Sequence, residues 1–347
     1  ASETDTGSGV TVFVGESGSI TGETWVTGDS NAYTTTDFVC DNSADTDPTD
    51  GLTIVEADSG KTITCTIVNS RKSTTLQLAK QWINAKLNDN ITATSTGFAS
   101  NASINSTANT ASETDTGSGV TVFVGESGSI TGETWVTGDS NAYTTTDFVC
   151  DNSADTDPTD GLTIVPADAG KTITCTIVNS RKSTTLQLAK QWINAKVNDN
   201  ITAASTGFAS NASINSTADT ASETDTGNSV TVYVGDSGTI TGETWVTGDS
   251  NAYTSTDFTC DHSADTDPTD GLTIAPADAD KTITCTIVNS RKSTTLRLAK
   301  QWINAKVNDN ITAAATGFAS PSMNAQLNST ADTASETDTG NSVTVYV

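Results

Sequence analysis

Histidine and basic residues are scarce in this 347-residue sequence, and long apolar runs are absent from it. Its single histidine, His262, excludes a histidine-activated nucleophile as a common feature of the repeats described below. The 16 Lys and Arg residues are outnumbered by 42 Asp and Glu residues, giving a formal net charge of −26. Nucleic-acid binding needs a basic footprint, and an anionic membrane repels such a chain. No apolar run approaches the length of a membrane span. The composition predicts no nucleic-acid partner and no membrane insertion by this segment.

Internal repetition is the most informative property that is present. The segment that begins at Ala1 restarts at Ala111, at Ala221 and, for 14 residues, at Ala334. The first two copies are 110 residues long and differ at five positions, whereas the third carries three extra residues near Ser322. This period is too long for a solenoid turn and is about the size of a small domain. An array of globular modules is therefore predicted, which favours a structural role over catalysis.

Each period contains seven short strand-like runs and no helical periodicity. Apolar alternation and β-branched content mark the runs, and turn-rich loops separate them. They are Thr184–Lys190, Asn200–Ser205, Val230–Val234, Thr239–Trp245, Tyr253–Cys260, Leu272–Ile274 and Thr282–Asn289. The segment Asn211–Asn228, rich in Ser, Thr, Asn and Ala, is expected to be a long surface loop or an irregular edge. These strands predict an all-β fold of tandem Ig-like β-sandwich modules, each of about 110 residues.

The boundaries of the folded modules differ from those of the sequence repeat. A short basic segment, 180–183, lies between two predicted core strands, which makes it a good module boundary. We therefore expect complete modules at 72–181 and 182–291. A partial module at 1–71 lacks its first strands, and another at 292–347 has first strands only. Because the sequence also lacks an initiator Met and a signal peptide, we expect it to be a window on a longer mature chain.

The six cysteines fall into three pairs with one common separation. The pairs are Cys40/Cys65, Cys150/Cys175 and Cys260/Cys285. One pair per repeat predicts one disulfide in each module and an oxidising compartment. A zinc site would need four ligands, and the only histidine occurs in just one copy. Closing a loop of about 25 residues stabilises a fold by about 3 kcal/mol.

Four motifs recur in a fixed order in each module. They are Leu-x-Leu-x-Lys-x-Trp at 76–82, Gly-Glu-Thr-Trp at 132–135, Asn-Ala-Tyr-Thr at 141–144 and Thr-Ile-Thr-Cys-Thr-Ile-Val-Asn-Ser-Arg at 172–181. The set resembles the prealbumin-like (CnaB/SpaA-type, transthyretin-like) repeat domains of bacterial surface proteins and pilins. In those domains a first-strand lysine, a middle-strand glutamate and a last-strand asparagine recur in that order. The resemblance covers the whole chain and implies an all-β stalk module with an intramolecular Lys–Asn isopeptide bond. The cysteine pair departs from the family pattern.

Strand alternation gives an independent test of that bond. Lys80 shares a face with the apolar residues of its strand, and Asn179 shares a face with Ile177. Burial is expected to lower the pKa of such a lysine, and the resulting neutral amine can attack an amide carbon. A buried carboxyl at Glu133 is expected to have a raised pKa, to shuttle protons and to donate a hydrogen bond to the asparagine carbonyl.

Two complete cross-linking sets are predicted, with the glutamates as proton shuttles. They are Lys80, Glu133 and Asn179 in one module, and Lys190, Glu243 and Asn289 in the next. The leading partial module contains Glu23 and Asn69 without a lysine, and the trailing one contains Lys300 alone. An alternative is that these lysines extend to solvent at a strand end and that the asparagines merely terminate strands.

An acidic loop that recurs in each copy is a further candidate site. Carboxylates at Asp151, Asp155, Asp157 and Asp160 could offer oxygen ligands to Ca²⁺. The loop lacks the terminal glutamate of an EF-hand, and acidic surface loops are usually only solvated. The six tryptophans are expected to be core anchors. We therefore predict no cofactor and no metal for this chain.

These observations predict a secreted bacterial structural protein at the cell surface, an adhesin stalk or fibre that is not an enzyme. Its expected partners are neighbouring modules of the same chain or of a homopolymer. Two alternatives remain open. The modules could be ligand-binding adhesin repeats, or the chain could be a self-assembling fibre subunit whose partial modules pair between chains by strand complementation.

Overall fold

The structure, a computed structural model, describes residues 2–20, 22–318 and 324–347 and is all-β, which confirms the predicted fold class. Short strands pair into small sheets, and the helices in the described ranges are six 3-10 helices of three residues. These are Ser30–Ala32, Glu56–Asp58, Ser140–Ala142, Pro166–Asp168, Ser250–Ala252 and Pro276–Asp278. The chain forms two compact units, 1–180 and 181–347.

Three small antiparallel strand pairs lie in the described part of residues 1–71. The strands are β1 (Ser17–Gly18), β2 (Tyr33–Thr35), β3 (Val39–Asp41), β4 (Leu52–Thr53), β5 (Thr64–Thr66) and β6 (Asn69–Arg71). β1 pairs with β4, β2 with β6, and β3 with β5. Val10 and Phe13 are 84% and 68% exposed. At the equivalent positions of the next repeat, Val120 and Phe123 belong to a strand that pairs with a neighbouring strand. Val10 and Phe13 are exposed instead, so this edge of the first segment is apolar and uncovered.

Residues 72–181, expected to be one complete module, contain eleven strands in two larger sheets and one further strand pair. Its strands are β7 (Ser73–Ile83), β8 (Asn90–Thr94), β9 (Ser103–Thr107), β10 (Glu113–Thr116), β11 (Val120–Phe123), β12 (Ser127–Gly128), β13 (Thr134–Thr137), β14 (Tyr143–Thr145), β15 (Val149–Cys150), β16 (Leu162–Thr163) and β17 (Thr172–Arg181). One sheet has the order β10-β7-β17-β14, with β11 beside β7 and β15 beside β17. The other has the order β13-β8-β9, and β12 pairs with β16.

The first and last strands of this module, β7 and β17, are parallel neighbours. Their register runs from Thr75 opposite Thr172 to Ile83 opposite Ser180. The chain therefore enters the module at one end of the sheet and leaves it at the other. Alternate side chains of both strands point into the sandwich. The apolar ones are all buried, namely Leu76, Leu78, Trp82, Ile173, Cys175 and Ile177.

Residues 182–291 repeat this arrangement. Their strands are β18 (Ser183–Ile193), β19 (Asn200–Thr206), β20 (Ser213–Thr217), β21 (Glu223–Tyr233), β22 (Ser237–Thr247), β23 (Tyr253–Ser255), β24 (Thr259–Asp261), β25 (Leu272–Thr273) and β26 (Thr282–Arg291). The sheet orders are β21-β18-β26-β23, with β24 beside β26, and β20-β19-β22-β25. The first and last strands, β18 and β26, are again parallel neighbours.

The described part of residues 292–347 contains four strands, equivalent to β18–β21. They are β27 (Ser293–Trp302), β28 (Asn310–Ala314), β29 (Gln326–Thr330) and β30 (Glu336–Tyr346). β27 pairs with β30, and β28 with β29. Leu296 is only half-buried, whereas its equivalent Leu186 is fully buried. Ser322, near the three extra residues of this copy, lies outside the described residues.

The segment 211–228, predicted to be a long loop or an irregular edge, instead contains β20 and the start of β21, so that prediction is wrong. Ile214 and Ser216 point into the module, and Ala212 and Ala218 are fully buried beside them. The inward positions do alternate along the chain. Because most of them carry Ala or Ser, the segment has too little hydrophobic contrast for the period to be recognised.

The single strand predicted at Tyr253–Cys260 is also wrong, because the chain forms two strands there, β23 and β24. Between them the Thr256 N–H still donates to the Val288 carbonyl at 3.0 Å, and the Phe258 side chain is buried at 1% exposure. Because the segment has apolar residues at both ends, an analysis of alternating polarity does not detect the break between the two strands.

The basic segment at residues 70–73, the repeat equivalent of the boundary expected at 180–183, is mostly strand. β6 ends at Arg71 and β7 begins at Ser73, so only Lys72 lies between them. The Lys72 N–H donates to the Ala32 carbonyl at 2.8 Å, and the Lys72 carbonyl accepts from the Val124 N–H at 3.0 Å. Since both backbone groups of the linker are bonded, one to each side, this connection has little freedom to bend.

Candidate functional site

Lys80 lies inside the first complete module, with a side chain that is 0% exposed. Its Nζ donates to Glu133 Oε2 at 2.9 Å and lies 4.5 Å from the centroid of the Trp82 ring. Burial lowers the pKa of Lys80 from 10.5 to about 8, and this effect exceeds the opposing effect of the Glu133 carboxylate. A lowered pKa favours the neutral amine, which is the form that can act as a nucleophile.

Glu133 approaches Lys80 from the opposite sheet. It lies between Gly132, whose φ is +122°, and the start of β13 at Thr134. Glycine favours this backbone region, and the turn interrupts the alternation of β13. For that reason strand periodicity could not establish the direction of the Glu133 side chain. The side chain is only 5% exposed, and its two oxygens accept from two different partners.

Asn179 is the second partner of the carboxylate and is fully buried on β17. Its Nδ2 donates to Glu133 Oε1 at 2.6 Å, and its Oδ1 has no hydrogen-bond partner. This differs from the expectation that Glu133 would bond the asparagine carbonyl. An ionised carboxylate only accepts, so it pairs with the N–H donors of the amide. The nitrogen that would leave in a transamidation is thus the atom that the carboxylate holds.

The second complete module contains the same arrangement. Lys190 Nζ lies 3.0 Å from Glu243 Oε2, and Asn289 Nδ2 lies 2.7 Å from Glu243 Oε1. Lys190 and Asn289 are both 0% exposed, and the Asn289 Oδ1 is again without a partner. Burial lowers the pKa of Lys190 to about 8, against the opposing charge of Glu243. In each module one carboxylate therefore bridges a buried amine and a buried amide.

The partial modules hold incomplete versions of this set. Glu23 accepts from Asn69 Nδ2 at 2.8 and 2.9 Å, but both residues are exposed. Lys300 lies 4.7 Å from the ring centroid of Trp302, and no ion pair of Lys300 is found in the described ranges. Each partial module therefore contains only some of the three residues and can serve as an internal control.

The structure joins all three cysteine pairs as disulfides: Cys40–Cys65, Cys150–Cys175 and Cys260–Cys285. In the first complete module the bridge connects β15 to β17, where the two cysteines lie directly opposite each other. Cys175 is on the same strand as Asn179. Each complete module therefore has its last strand fastened to the neighbouring short strand.

In the acidic loop considered for calcium, Asp155 and Asp157 are used in local turns, whereas Asp151 Oδ1 accepts from the Thr174 N–H of β17 at 2.8 Å. Asp155 Oδ1 accepts from the Asp157 N–H at 3.2 Å, and Asp157 Oδ1 accepts from the Thr159 N–H at 3.0 Å. The Thr159 hydroxyl also bonds Asp157 and lowers the pKa of that carboxyl. Among the residues that the structure describes, no three or more His, Cys, Asp or Glu side chains are grouped to hold a metal.

Sequence reasoning missed a hydrogen-bonded chain that begins at the indole beside Lys80. Trp82 Nε1 donates to Ser106 Oγ at 2.8 Å, and Ser106 Oγ donates to Asp115 Oδ2 at 2.6 Å. Trp82 is buried, as expected of a core anchor, but Trp135 is only half-buried. The separation of Trp and Ser is 24 residues in both complete modules, but the near-identity of these copies made this signal uninformative.

Comparison with known proteins adds no assignment of function. No protein-family model and no curated protein matches the sequence. The solved structures that resemble this chain include the Bacillus anthracis TIE protein, with TM-score 0.37 and 11% identity over 82% of this chain and 46% of that one. This chain thus spans less than half of that protein. At such a TM-score the likeness does not identify a function.

Two pilus proteins show similarly distant likeness. The major pilin protein (T-13) of Streptococcus pyogenes has a TM-score of 0.31 and 13% identity over 64% of this chain and 97% of its own. A C-terminal fragment of the pilus adhesin SpaC of Lactobacillus rhamnosus GG has a TM-score of 0.32 and 13% identity, with 63% and 97% covered. In the part of our chain that is described, no helix is long and apolar enough to cross a membrane.

Proposed function

We propose that this chain is part of an extracellular bacterial stalk or fibre whose complete modules are closed by autocatalytic Lys–Asn isopeptide bonds. The observation that carries the proposal is the single carboxylate of Glu133, which bonds Lys80 Nζ at 2.9 Å and Asn179 Nδ2 at 2.6 Å inside the module. The same geometry recurs around Glu243. A nucleophile, an electrophile and a proton carrier therefore meet twice, in a water-poor interior.

The chemistry is a transamidation that balances without a cofactor. Neutral Lys80 Nζ attacks Asn179 Cγ, so that the Nζ–Cγ bond forms and the Cγ–Nδ2 bond breaks. Glu133 takes a proton from Nζ on one oxygen and returns a proton to Nδ2, which leaves as ammonia. The carboxylate is positioned for both transfers because each nitrogen already bonds to it. The product amide is neutral, which removes the cost of a buried ammonium.

The position of the proposed bond explains its use in a stalk. β7 and β17 are parallel neighbours, so tension enters at the start of β7 and leaves at the end of β17, and it shears the two strands past each other. A covalent link from Lys80 to Asn179 would carry that load directly. Each disulfide fastens the same last strand to its neighbour, as suits an oxidising extracellular compartment. The net charge of −26 keeps an extended protein soluble.

Intact-mass measurement of the reduced chain tests this function. Because only the modules at 72–181 and 182–291 hold all three residues, we expect the loss of two ammonias and no more. An unshifted mass would overturn the proposal. A third loss, accompanied by denaturant-resistant multimers, would instead favour the self-assembling fibre, because Lys300 of one copy would then have reacted with Asn69 of another.

A further inference from the structure

The Trp82 indole that faces Lys80 is held in place by a hydrogen-bonded chain that crosses the module. Trp82 Nε1 donates to Ser106 Oγ at 2.8 Å, and Ser106 Oγ donates to Asp115 Oδ2 at 2.6 Å. An indole N–H can only donate and a carboxylate can only accept, so the serine hydroxyl has a single consistent orientation. Trp82 and Ser106 are 0% and 1% exposed, and the tether is therefore shielded from competing water.

The tether begins and ends beside Lys80. Trp82 lies two residues after Lys80 on β7 and shares its inward face, and Asp115 on β10 is the direct cross-strand partner of Lys80. Ser106 reaches in from β9 of the other sheet. Rotation of the indole about its side-chain bonds would break the bond to Ser106. The face of the ring that Nζ contacts is consequently fixed by both sheets.

The trailing partial module separates the effect of the indole from that of the glutamate. In the complete module at 182–291, Lys190 Nζ lies 4.5 Å from the Trp192 ring centroid, next to Glu243. Lys300 has no ion pair in the described part of the chain, yet its Nζ lies 4.7 Å from the Trp302 ring centroid. The lysine therefore lies against the ring even in a module that has no equivalent of Glu243, although Asp338 is its cross-strand partner there.

The tether itself also persists in that partial module. Trp302 Nε1 donates to Ser329 Oγ at 2.6 Å, and Ser329 Oγ donates to Asp338 Oδ2 at 2.5 Å. The separation from Trp to Ser is 27 residues here, compared with 24 in the complete modules. The contact thus survives the insertion of three residues in the intervening chain.

We propose that Trp82, tethered by Ser106 and Asp115, is a positioning residue that places Lys80 Nζ for attack on Asn179 before Glu133 and Asn179 close around it. This inference rests on the proposed cross-link. The quadrupole of the ring attracts the ammonium, which offsets part of the cost of burying it while the module assembles. When the last strand β17 docks, the amine already lies on the correct side of the core. Small errors in such placement slow a reaction greatly.

The test compares cross-linking rates of the two modules within one molecule. The full chain is recovered from never-folded, denatured material, refolded, and sampled over time, and the ammonia loss of each module is read by mass spectrometry after digestion. In Ser106→Ala, we expect the rate in 72–181 to fall on the order of tenfold, with 182–291 unchanged. Ser216→Ala should give the mirror result. Ser106→Thr, which retains the hydroxyl, should restore the rate.

A pH series distinguishes positioning from a general loss of stability. The charged groups that face Lys80 are Glu133 from the opposite sheet and Asp115 from the adjacent strand. Trp82→Leu removes the ring but neither of these charges, so the midpoint of the rate profile should move to lower pH as the ammonium loses a favourable contact. Trp82→Phe retains an aromatic face and should slow the reaction with less movement of the midpoint.

Equal rates in the parent chain and Ser106→Ala would overturn the positioning role, and so would an unchanged midpoint in Trp82→Leu. Hydrogen-exchange protection of β8 in each variant confirms that the module has folded before its rate is interpreted. If neither module of the unsubstituted chain loses ammonia, the proposed function fails, and this outcome is distinct from failure of the tether alone.

Discussion

Lys80 and Glu133 form a buried ion pair, with Nζ and Oε2 2.9 Å apart and side chains that are 0% and 5% exposed. The desolvation of such a pair offsets most of its Coulomb attraction, so the pair adds little net stability. Removing one partner is different, because it leaves an uncompensated buried charge that costs about 3–5 kcal/mol. The proposed amide at Lys80 would remove this cost, since the lysine would become neutral and the carboxyl could take up a proton.

Replacement of the proton carrier tests its role. We expect Glu133→Gln to abolish ammonia loss from 72–181 and to leave the loss from 182–291 intact, because glutamine keeps the size of the side chain but cannot carry the proton. Peptide mapping by mass spectrometry locates the missing bond. The matched control is Glu23→Gln, which alters the equivalent residue of a module without a lysine and should change nothing. Normal ammonia loss in Glu133→Gln would contradict the assignment.

The pKa of Lys80 sets the expected pH dependence of the reaction. Burial lowers that pKa to about 8, and only the neutral amine attacks. On refolding of never-folded chain, the initial rate should therefore fall about tenfold for each pH unit below about 8 and level off above it. Time-resolved mass spectrometry measures this directly. A rate that is the same at pH about 6 and about 8 would show that deprotonation of the amine does not limit the reaction.

The positions of Lys80 and Asn179 followed from strand alternation, because long β-branched and leucine-rich strands have a clear period. The fold class followed from the same signal. β20 did not, since Ala212 and Ser216 fill inward positions without hydrophobic contrast. The direction in which the Glu133 side chain points depends on the left-handed backbone conformation of Gly132. Three-dimensional packing determines that Glu133 accepts a hydrogen bond from the amide nitrogen of Asn179. Neither property has a local pattern. The isopeptide bond itself remains a prediction.

The disulfide Cys150–Cys175 should stabilise the module by holding β17 to β15. The bridge Cys150–Cys175 closes a loop with a sequence separation of 25. We expect the double substitution Cys150→Ser and Cys175→Ser to lower the free energy of opening of the module by about 3 kcal/mol. Hydrogen exchange followed by mass spectrometry reads the two modules separately, so 182–291 serves as the internal reference. Unchanged protection of residues 172–178 would mean that the sheet alone holds the last strand.

The raised pKa of Tyr253 predicts that the protein loses stability at high pH. Burial, followed by its hydrogen bond to Asp199, raises the pKa of Tyr253 from 10.0 to about 12. The folded state therefore binds more protons than the unfolded state between these values, and stability is complete below pH about 10 and falls as the pH rises toward about 12. Tyr253→Phe should be less stable at neutral pH, because Asp199 loses a buried donor. It should also lose less stability than the parent chain on alkaline titration, as measured by denaturant unfolding. An identical alkaline loss in both proteins would exclude Tyr253 as its source.

Arg71 is expected to protect the connection between the first two modules. Its Nε donates to the Val124 carbonyl at 2.8 Å, and its guanidinium lies 5.7 Å from the Phe123 ring centroid. The ion pair with Glu126 is long, at 3.8 Å, and partly exposed, so it should add little. Together the hydrogen bond and the ring contact amount to about 1–2 kcal/mol.

Loss of these contacts should make Lys72 accessible to trypsin. Local opening of the linker precedes cleavage, so a loss of about 1.4 kcal/mol in Arg71→Gln corresponds to about tenfold faster cutting after Lys72. Mass spectrometry of the new termini identifies the site, and Arg71→Gln creates no other cleavage point. Arg297→Gln, at an exposed position of β27, is the matched control and should leave the rate unchanged. If Arg71→Gln also leaves it unchanged, the backbone bonds of Lys72 to Ala32 and Val124 hold the connection by themselves.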